Sequence, residues 1–520
     1  MKNHKATSLD PIPIEIFKYI KTNALSTELS QLLTECWETS QVPEIFLVQI
    51  MTSLFKKGNR TMPENQRGIS MISHLSKSLV LLCSNRISAY CEKQDIFPES
   101  ACGFRPKRST VDMILTARLL QYSCKEKGIS LFLAFIDIAK AYDSVHRETL
   151  WKILSCIGIP PKILSLLKTL YGKNKCKVKL NSKFSNFFMI EEGLKQGCPA
   201  ACLLFNIFFA IIIHIIKMKL DQKGIELKFR LDGDVFNLQR LYAKTKVQKK
   251  QLLEMIFADD IAICATSEQE LQTIISVFYY TFKEFGLQMN LKKTEILHQK
   301  SSTEHENKEA SNIEIEGKEL LVVSEFKYLG TLISDKATLD VEIQARINKA
   351  TTAFWKLYQR VWKKKHLTLL TKAQTYKTMI LPCLTYACES WAWTAKHIRK
   401  LETTHFRFLR IIAGKSWRDH ISYIELLNLV NKNSYNGNFE WADETNKISG
   451  ITSIETYCRL ARLRYFGHLM RMPPTRLPKI MLHGEVDLGK RKIGRPKKSY
   501  LQSVRDDLKL FNLWNSYQKN

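Results

Sequence analysis

Two adjacent aspartates, Asp259 and Asp260, interrupt an otherwise almost wholly apolar run at residues 252–264 (LLEMIFADDIAIC). Neighbouring carboxylates raise each other's proton affinity, and burying them without a counter-charge is costly, so such a pair normally needs a cation or metal ion. Aspartate is also a good turn residue, so a solvent-exposed hairpin tip explains the pair equally well. The pattern predicts two strands joined by a tight turn, and leaves open whether that turn is a site.

The charge balance of the chain favours a polyanionic partner. The 520 residues include 79 Lys and Arg against 50 Asp and Glu, which gives a formal net charge of +29, and 45% of the residues are hydrophobic. Nucleic acid and an anionic membrane both fit this charge. The length predicts about two to four domains with a substantial buried interior.

The apolar segments do not predict a membrane protein. The most apolar stretch, residues 203–216, contains Asn206 and His214 and is shorter than the ~20 apolar residues that a span requires. The chain opens with the polar residues MKNHKATSLD rather than a signal sequence, and its 13 cysteines lack regular spacing, as expected of free thiols in a reducing compartment. We therefore expect a nuclear and/or cytoplasmic protein with no membrane contact.

Cysteines and histidines in one region suggest zinc as an alternative. Cys383 and Cys388 are followed by His397 and His405. This spacing fits no compact zinc knuckle, and a helix through LPCLTYACESWAW would direct the two sulfurs apart. Zinc is therefore the weaker interpretation.

Short apolar runs predict strands, and longer periodic stretches predict helices. A turn at Asp232 and Gly233 suggests a further hairpin, and the pattern beyond Asp335 is helical to about residue 430. The predicted strands lie near residues 130–137, 176–181, 184–190, 253–258 and 261–265, and the predicted helices at about 147–157, 199–219 and 268–285.

A third carboxylate, Asp137, ends the first of these predicted strands within AFIDIAKAYD. Carboxylates from two strand ends that meet about 4 Å apart would hold two divalent metal ions, the arrangement used for in-line nucleotidyl transfer. Hard oxygen ligands favour Mg²⁺ over zinc. The three aspartates therefore predict a convergent acidic site.

Five motifs occur in the order of the palm motifs of reverse transcriptases. They are AFIDIAKAYD, GLKQGCPAACLLFNIFF, FADD, GLQMNLKKTEIL and FKYLGTLIS. Upstream, KATSLDPIPIEIFK and LFKKGNRTMPENQRGISMISHLSKSL resemble the fingers region, and RLRYFGHLMRMPPTRLP with RPKKS is similar to the C-terminal tails of such elements. Over nearly its whole length the chain resembles the reverse transcriptases of non-LTR (LINE-like) retrotransposons.

The resemblance implies an α+β, right-hand polymerase fold. Residues 1–129 would form the fingers and the N-terminal palm region, 130–335 the reverse transcriptase palm with its antiparallel sheet, and 336–430 a helical thumb. A linker at 431–455 and a basic α-helical, nucleic-acid-binding region at 456–520 would follow.

The resemblance also implies an activity, which is extension of a DNA primer on an RNA template from deoxynucleoside triphosphates. Asp137, Asp259 and Asp260 would be the catalytic carboxylates and would hold two Mg²⁺ ions, with Mn²⁺ as an alternative. Lys293 matches the lysine proposed to protonate the leaving pyrophosphate, although the adjacent Lys292 competes for that assignment.

Further residues match nucleotide-binding and primer-binding positions of the family. Tyr142 matches the bulky side chain that lies under the sugar and excludes a 2′-hydroxyl, with a core aromatic as the structural alternative. Asp143 is either a second acid or, preferably, the cap of the following helix. The remaining matches are Arg67, Lys56 or Lys57, Gln196 and Gly197 for the nucleotide, and Phe326, Tyr328, Leu329 and Gly330 for the primer end.

Basic residues outside the palm motifs suggest further contacts with nucleic acid. Trp355 and Trp362, seven residues apart, would share one helical face, either in a core or in a thumb helix along a duplex. Beside them lie Lys363, Lys364 and Lys365. The run KRKIGRPKK, with Arg491, Arg495, Lys497 and Lys498, resembles a nuclear-targeting run or a minor-groove hook.

Two departures from the family pattern leave alternatives open. Relatives commonly have a small polar residue and a proline before LLF or TLF, whereas this chain has AACLLF, Ala200 to Phe205. A catalytically inactive nucleic-acid-binding remnant therefore remains an alternative, as does a maturase-like RNA-binding protein. Because the chain begins almost at the fingers motif, we expect target DNA to be nicked, if nicking is needed, by an endonuclease supplied by another polypeptide.

Overall fold

The computed structural model describes residues 3, 12–19, 23–56, 58–172, 174–221, 223–243, 245–301, 312–432, 450–491 and 498–519. Lys57, Arg495 and Lys497, three of the predicted nucleic-acid or nucleotide contacts, lie outside the described residues, as does most of the predicted linker.

The N-terminal part of the chain forms helices and one antiparallel strand pair. Local sequence sets the ends of the longest helices: Ser73 caps α4, Ser109 and Asp112 form a capping box on α5, and Gly128 ends α5 with a φ of 68°. The elements are α1 (Ile14–Tyr19), α2 (Asn23–Thr39), α3 (Glu44–Leu47), β1 (Val48–Phe55), β2 (Gln66–Ile72), α4 (His74–Lys93) and α5 (Thr110–Lys127).

The next part of the chain alternates strands with buried helices. The run LFLAFI forms β3, in which every residue is buried, as expected of a strand covered on both faces. The elements are β3 (Leu131–Ile136), β4 (Ile138–Ala139), α6 (Arg147–Cys156), α7 (Pro161–Tyr171), β5 (Lys175–Leu180), β6 (Lys183–Phe184), β7 (Phe188–Met189) and α8 (Ala201–Leu220).

Mostly strands follow, joined by short connections. The elements are β8 (Ile225–Phe229), β9 (Gln248–Leu252), β10 (Glu254–Phe257), β11 (Asp260–Ala265), α9 (Glu268–Glu284), β12 (Gln288–Met289), β13 (Glu295–Gln299), β14 (Glu314–Ile315), β15 (Lys318–Glu319), β16 (Leu321–Val323), β17 (Glu325–Tyr328) and β18 (Thr331–Ser334).

The rest of the described chain is mainly helical. The elements are α10 (Asp340–Lys356), α11 (Leu369–Thr375), α12 (Leu381–Thr385), α13 (Ala395–Ile412), α14 (Tyr423–Lys432), α15 (Ile454–Arg471), α16 (Leu477–His483), β19 (Gly484–Val486), α17 (Tyr500–Leu510) and α18 (Trp514–Lys519).

A central sheet organises the molecule, with strand order β10-β11-β3-β13-β16. β3 lies between β11 and β13 and is antiparallel to both, while β13 and β16 are parallel. The strands predicted at 130–137, 253–258 and 261–265 correspond to β3, β10 and β11. The strand predicted at 184–190 is instead two short strands, β6 and β7, because the residues between them leave the ladder.

A second sheet has the strand order β2-β1-β5-β6, with β7 also paired to β5. The hairpin suggested by Asp232 and Gly233 does form, since β8 and β9 are antiparallel, but its connection is long and contains a short 3₁₀ helix, Leu238–Tyr242.

Helix α8 packs under the central sheet and contributes much of the core. Leu204, Phe205, Phe208, Ile212 and Ile213 on this helix are essentially inaccessible to solvent. Among the described residues it is the one helix long and apolar enough to cross a membrane, and 56% of its most apolar window is buried inside the protein. This packing supports the interpretation of residues 203–216 as part of a core helix.

The structure separates the two tryptophans that were predicted to share a helical face. α10 ends at Lys356 and is followed by a π-helical turn, Tyr358–Trp362, which breaks the α-helical spacing. Trp362 is buried and stacks on Phe354 with 4.9 Å between ring centroids, whereas Trp355 is 48% exposed.

The segment considered for zinc is also not one helix. α12 ends at Thr385, and Ala387 has a φ of 59° before a short 3₁₀ turn. His405 lies 2.5 Å from the hydroxyl of Tyr376, and in the described part of the chain no group of three or more His, Cys, Asp or Glu side chains is close enough to hold a metal ion.

The C-terminal residues fold back onto the rest of the protein, which differs from the separate basic region predicted at 456–520. β19 pairs with β8, and the guanidinium group of Arg476 contacts Asp112 at 2.8 Å and Glu99 at 2.9 Å. Arg462 is 1% exposed and pairs with the buried Asp507. These arginines therefore stabilise the tertiary structure rather than a nucleic-acid surface.

Candidate active site

The two aspartates of the opening motif lie at the tip of the β10–β11 hairpin. Phe257 pairs with Asp260, so Ala258 and Asp259 form a two-residue turn, and Ala258 has a left-handed φ of 61°. Both aspartates are exposed, while the strands on either side are buried. The hairpin tip and the candidate site are thus the same structure.

Strand register brings Asp137 to this tip. Ile136, the last residue of β3, pairs with Ile261 of β11, so Asp137 follows opposite Asp260. Directly opposed residues of antiparallel strands have Cβ atoms about 4.5–5.5 Å apart and point to the same face. The register therefore agrees with the predicted approach of Asp137 and Asp260, and Asp259 lies in the adjoining turn.

The electrostatics of the tip favour a cation. The pKa of Asp260 is raised to about 6. The largest cause is burial of its carboxyl group by the surrounding protein, followed by the negative charges of Asp259 and Asp137. All donors here are carboxylate oxygens, which suit Mg²⁺ better than zinc. The aspartates do not by themselves close around an ion, in keeping with a Mg²⁺ site that is completed by substrate phosphates and water.

Lys293 is the cation that contacts this acidic edge. Its ammonium group lies 3.3 Å from the carboxylate of Asp137, and both side chains are open to solvent. The backbone is fixed nearby, because the amide of Asn290 donates to the carbonyl of Asp137 at 2.8 Å. Of the two candidate lysines, Lys293 is the one positioned at the carboxylates.

Tyr142 is half-buried beside the aspartates. Its ring stacks on Phe205 of α8 with 4.8 Å between centroids, and its hydroxyl donates to the Cys202 sulfur at 3.7 Å. Burial and Cys202 raise the tyrosine pKa, with further contributions from Asp259, which raises it, and Arg67, which lowers it. Tyr142 is therefore close enough to both Asp259 and Arg67 to interact with each electrostatically.

The GLKQG loop links β2 to the segment that carries Tyr142, since the amide of Leu194 donates to the carbonyl of Tyr142 at 2.8 Å. The carbonyl of Gln196 accepts a 2.6 Å hydrogen bond from the amide of Ser70 in β2. Gly197 has a φ of 116°, and a Cβ atom there would lie 2.5 Å from the Ser70 carbonyl oxygen, so only glycine fits. The loop thereby fixes β2, which carries the exposed Arg67, relative to the acidic tip.

The structure does not support Asp143 as a helix cap. His146 caps α6, with its side chain accepting from the amide of Thr149, and α6 begins at Arg147. Asp143 instead accepts a 3.4 Å hydrogen bond from the Gln196 side chain. Lys56 is close enough to lower the pKa of Asp143, although burial raises that pKa overall.

Sequence reasoning missed the support behind the hairpin tip. A Cβ atom on Gly103 would lie 2.2 Å from the backbone nitrogen of Ala258, so the two backbones are in direct contact. Asn206 of α8 donates to the Gly103 carbonyl at 2.6 Å. The available signal was Asn206, a polar residue within an otherwise apolar helix.

Comparison with protein families identifies this arrangement. The family model described as "Reverse transcriptase (RNA-dependent DNA polymerase)" matches residues 55–333, which include all the positions described above. The chain belongs to the reverse transcriptase family. The membership confirms the predicted α+β, right-hand polymerase fold.

The curated relatives that the chain matches include RNA-directed DNA polymerases of mobile elements. The RNA-directed DNA polymerase from mobile element jockey of Drosophila funebris is 24% identical over 68% of this chain and 36% of its own length. The probable RNA-directed DNA polymerase from transposon BS of Drosophila melanogaster is 24% identical over 67% of this chain and 36% of its own. The transposon TX1 149 kDa protein of Xenopus laevis is 26% identical over 44% and 17%. The chain thus spans about a third or less of these relatives.

Among solved structures, apo telomerase from Candida tropicalis is similar. It shares 13% sequence identity over 61% of this chain and 59% of its own, with a TM-score of 0.38. The likeness is too weak to bear on the activity of this chain.

The predicted primer hairpin of this reverse transcriptase forms from β17 and β18. Leu329 and Gly330 make its turn, with φ values of 46° and 85°. Tyr328 is 1% exposed and Phe326 stacks on Phe135 at 3.7 Å, so both rings pack against the central sheet. The prediction that the Tyr328 side chain packs against the primer is therefore corrected, because the ring lies in the core. The carbonyl of Leu329 in the turn accepts a hydrogen bond from the Tyr386 hydroxyl at 2.8 Å.

The basic residues predicted outside the palm have different environments. Lys363, Lys364 and Lys365 are exposed. Arg491 instead pairs with Glu485 at 2.8 Å, and Lys498 pairs with Asp506 at 3.0 Å. Intramolecular carboxylates thus neutralise Arg491 and Lys498, whereas Lys490, the third described basic residue of the run, is exposed.

A second basic surface in the helical region was not anticipated. α13 buries Ile398, Leu401, Phe408 and Leu409 on one side, and its opposite side is basic. The exposed basic residues of that side, which we call the α13 stripe, are Lys396, Arg399, Lys400 and Arg407. Their helical spacing in AKHIRKLETTHFR was the signal available in the sequence.

Proposed function

We propose that this chain extends a DNA primer on an RNA template as the polymerase of a non-LTR retrotransposon. The observation that carries the proposal is the register that sets Asp137 opposite Asp260 at the tip of the β10–β11 hairpin, with Lys293 3.3 Å from Asp137. Target DNA, deoxynucleoside triphosphates and an endonuclease supplied by another polypeptide belong to the same proposal, as does action in the nucleus or cytoplasm.

Asp137, Asp259 and Asp260 would hold two Mg²⁺ ions. When bound, such ions activate the primer hydroxyl and stabilise charge on the attacked and leaving phosphate oxygens. The fit is supported by the all-carboxylate donor set and by the raised pKa of Asp260, since a bound cation would relieve the repulsion among the three carboxylates.

The other residues would position the substrate and move a proton. Arg67 would grip the triphosphate with its bidentate guanidinium group. The Tyr142 ring, held against Phe205, would leave no room for a 2′-hydroxyl. Lys293 would donate a proton to the leaving pyrophosphate, and the Gln196–Gly197 backbone would contact the paired template and incoming nucleotides.

The alternative of a catalytically inactive remnant rested on the altered start of α8. Ala200 and Ala201 are each 1% exposed and the helix begins at Ala201, so the substitutions are accommodated in the fold. No cap hydrogen bond is made by the Ala200 side chain. The altered start therefore does not disrupt the element that supports Tyr142.

Primer extension on an RNA template with Mg²⁺ and deoxynucleotides tests the proposal. We expect the parent chain to extend the primer, and the Asp259→Ala, Asp260→Ala double variant to bind primer–template with extension reduced by several orders of magnitude. The matched control is Asp232→Ala. It removes an exposed carboxylate that pairs with Arg230 and is not one of the three site aspartates. A parent chain that binds primer–template without extending it would establish the remnant instead.

A further inference from the structure

Exposed phenylalanines are concentrated at one edge of the β2-β1-β5 sheet. Phe184, Phe187 and Phe188 are 47%, 48% and 41% exposed, and Phe104 is the one other large exposed phenylalanine among the described residues. Phe184 pairs with Lys179 of β5 whereas Phe188 pairs with Cys176, so Phe188 points to the opposite face of the sheet. Exposed apolar surface commonly marks an interaction site.

Two lysines lie beside Phe184 and Phe187 on one face of the sheet. Lys179 of β5 pairs directly with Phe184 of β6, so the two side chains point to the same side. The ammonium group of Lys179 lies 5.7 Å from the Phe184 ring centroid, and that of Lys177 lies 4.1 Å from the Phe187 centroid. We call these four residues the lysine–phenylalanine face.

The charge of this face is available to an outside partner. Lys175, the next lysine along β5, is paired with Glu44 at 2.5 Å. Within the described ranges, neither Lys177 nor Lys179 has a carboxylate within ion-pair distance. Two unneutralised ammonium groups beside exposed aromatic rings suit a polyanion that also offers flat, stackable groups.

The face is continuous with the predicted nucleotide-binding side of the sheet. Thr52 of β1 pairs with Lys179 on one neighbour and with Ile69 on the other, and Leu54 pairs with Arg67. Residues two apart on a strand share a face, so Arg67 and Lys179 are on the same side of the sheet. With neighbouring strands about 4.8 Å apart, two strand spacings, roughly 10 Å, separate β2 from β5.

We propose that the lysine–phenylalanine face binds the single-stranded RNA template beyond the base pair being formed. Bases would stack on Phe184 and Phe187 while Lys177 and Lys179 neutralise phosphates, as in other single-strand surfaces. A duplex cannot use exposed rings in this way because its bases are already stacked. Continuity with Arg67 favours nucleic acid over an anionic membrane. The inference rests on the proposed polymerase function, because the bound strand would be the template of that reaction.

Overhang-dependent binding tests the proposal with the full chain. Two fluorescent primer–templates are titrated in the absence of deoxynucleotides, one with a template overhang of about eight nucleotides and one with an overhang of about one nucleotide. The longer overhang is long enough to span a typical single-strand binding site. We expect the parent chain to bind the long overhang more tightly, and the Phe184→Ala, Phe187→Ala variant to lose about tenfold or more of that gain with short-overhang affinity unchanged.

Two controls separate stacking from misfolding. The Phe184→Trp, Phe187→Trp variant keeps aromatic surface and should retain the gain. Tyr280→Ala removes an aromatic ring that is 55% exposed on α9 and should leave both affinities unchanged. An undiminished gain in the alanine variant overturns the proposal.

The other outcomes are equally decisive. If the alanine variant loses binding to phosphatidylserine vesicles but keeps its template affinity, the face binds membrane and the proposal is overturned. If the parent chain does not extend the primer but the alanine variant loses the overhang-dependent gain in affinity, the proposed polymerase function is wrong and the single-strand surface is supported. If the parent chain extends the primer and the alanine variant keeps the gain, only the inference about the lysine–phenylalanine face is wrong.

Discussion

At the residue scale, Cys202 in the first turn of α8 restrains the ring of Tyr142. Its sulfur accepts a hydrogen bond from the tyrosine hydroxyl at 3.7 Å. This contact adds to the stacking of the ring on Phe205. Cys202 is thus a positioning residue for the proposed sugar discrimination.

Removing that sulfur should weaken discrimination against ribonucleotides. We expect Cys202→Ala to lower the ratio of kcat/KM for a deoxynucleotide to that for its ribonucleotide by about twofold to tenfold, because the variant lacks a hydrogen bond of roughly 0.5–1.5 kcal/mol. Cys202→Ser should restore most of the ratio. If Tyr142→Val leaves the ratio unchanged, the discriminating role of Tyr142 is wrong.

Gly103 should be intolerant of a side chain. A Cβ atom at this position lies 2.2 Å from the Ala258 nitrogen, so Gly103→Ala must displace the turn that carries Asp259. We expect kcat for primer extension to fall about a hundredfold, since a displacement near 1 Å can cost that much.

Gly467→Ala is the matched control for this substitution. Its Cβ atom would meet only the flexible end of Arg471 at 3.3 Å, within helix α15. A normal kcat in the Gly103→Ala variant would show that the turn carrying Asp259 does not depend on the close approach of the Gly103 and Ala258 backbones.

At the element scale, the α13 stripe should bind the backbone of the primer–template duplex. An amphipathic helix with an apolar inner side and a basic outer side is suited to binding phosphates. We expect Arg399→Ala, Arg407→Ala to weaken duplex binding and to reduce the slope of log K against log salt by about 0.9 for each phosphate that the variant no longer neutralises.

The control for the stripe is a lysine whose charge is already paired. Lys283 on α9 contacts Glu316 at 3.1 Å, so Lys283→Ala should leave the salt slope unchanged. An unchanged slope in the double arginine variant would exclude the stripe as a duplex-binding surface. Affinity measured at several salt concentrations by fluorescence anisotropy separates these outcomes.

At the scale of the whole molecule, the C-terminal helices are part of the folded core. Asp507 on α17 is fully buried and accepts from Arg459 and from Arg462, whose guanidinium group also donates to the carbonyl of Trp391 at 2.7 Å. This network joins α17 and α15 to the short 3₁₀ turn that ends at Ser390. The C-terminal region and the helical region should therefore unfold together.

Breaking the network should be strongly destabilising. We expect Asp507→Ala to lower the free energy of unfolding by about 3–5 kcal/mol, because the buried Arg462 is left without its carboxylate. Asp506→Ala, one residue earlier, removes only a partly exposed pair with Lys498 and should cost about 0–1 kcal/mol. Equal unfolding midpoints for both variants in urea would show that the C-terminal region is not coupled to the core.

The sequence by itself determined the local elements and the acidic tip. Alternation of apolar residues and the FADD turn were enough to predict β3, β10 and β11, because each depends on neighbours within a few residues. Motif order gave the family, which the family comparison confirmed. The tertiary structure decided which side chains are buried, which charges are paired and which segments meet at the site, because these features depend on residues far apart in the chain.

The residues on which prediction failed share that physical cause. Trp355 and Trp362 do not share a helical face, Tyr328 lies in the core, and Arg491 pairs with Glu485. These outcomes depend on the elements packed around each side chain. The contact between Gly103 and Ala258 joins segments far apart in the chain and leaves no periodic trace in either. Strand register places Asp137 beside Asp260. Tyr142 and Arg67 reach the same site only through the packing of α8 and of the GLKQG loop.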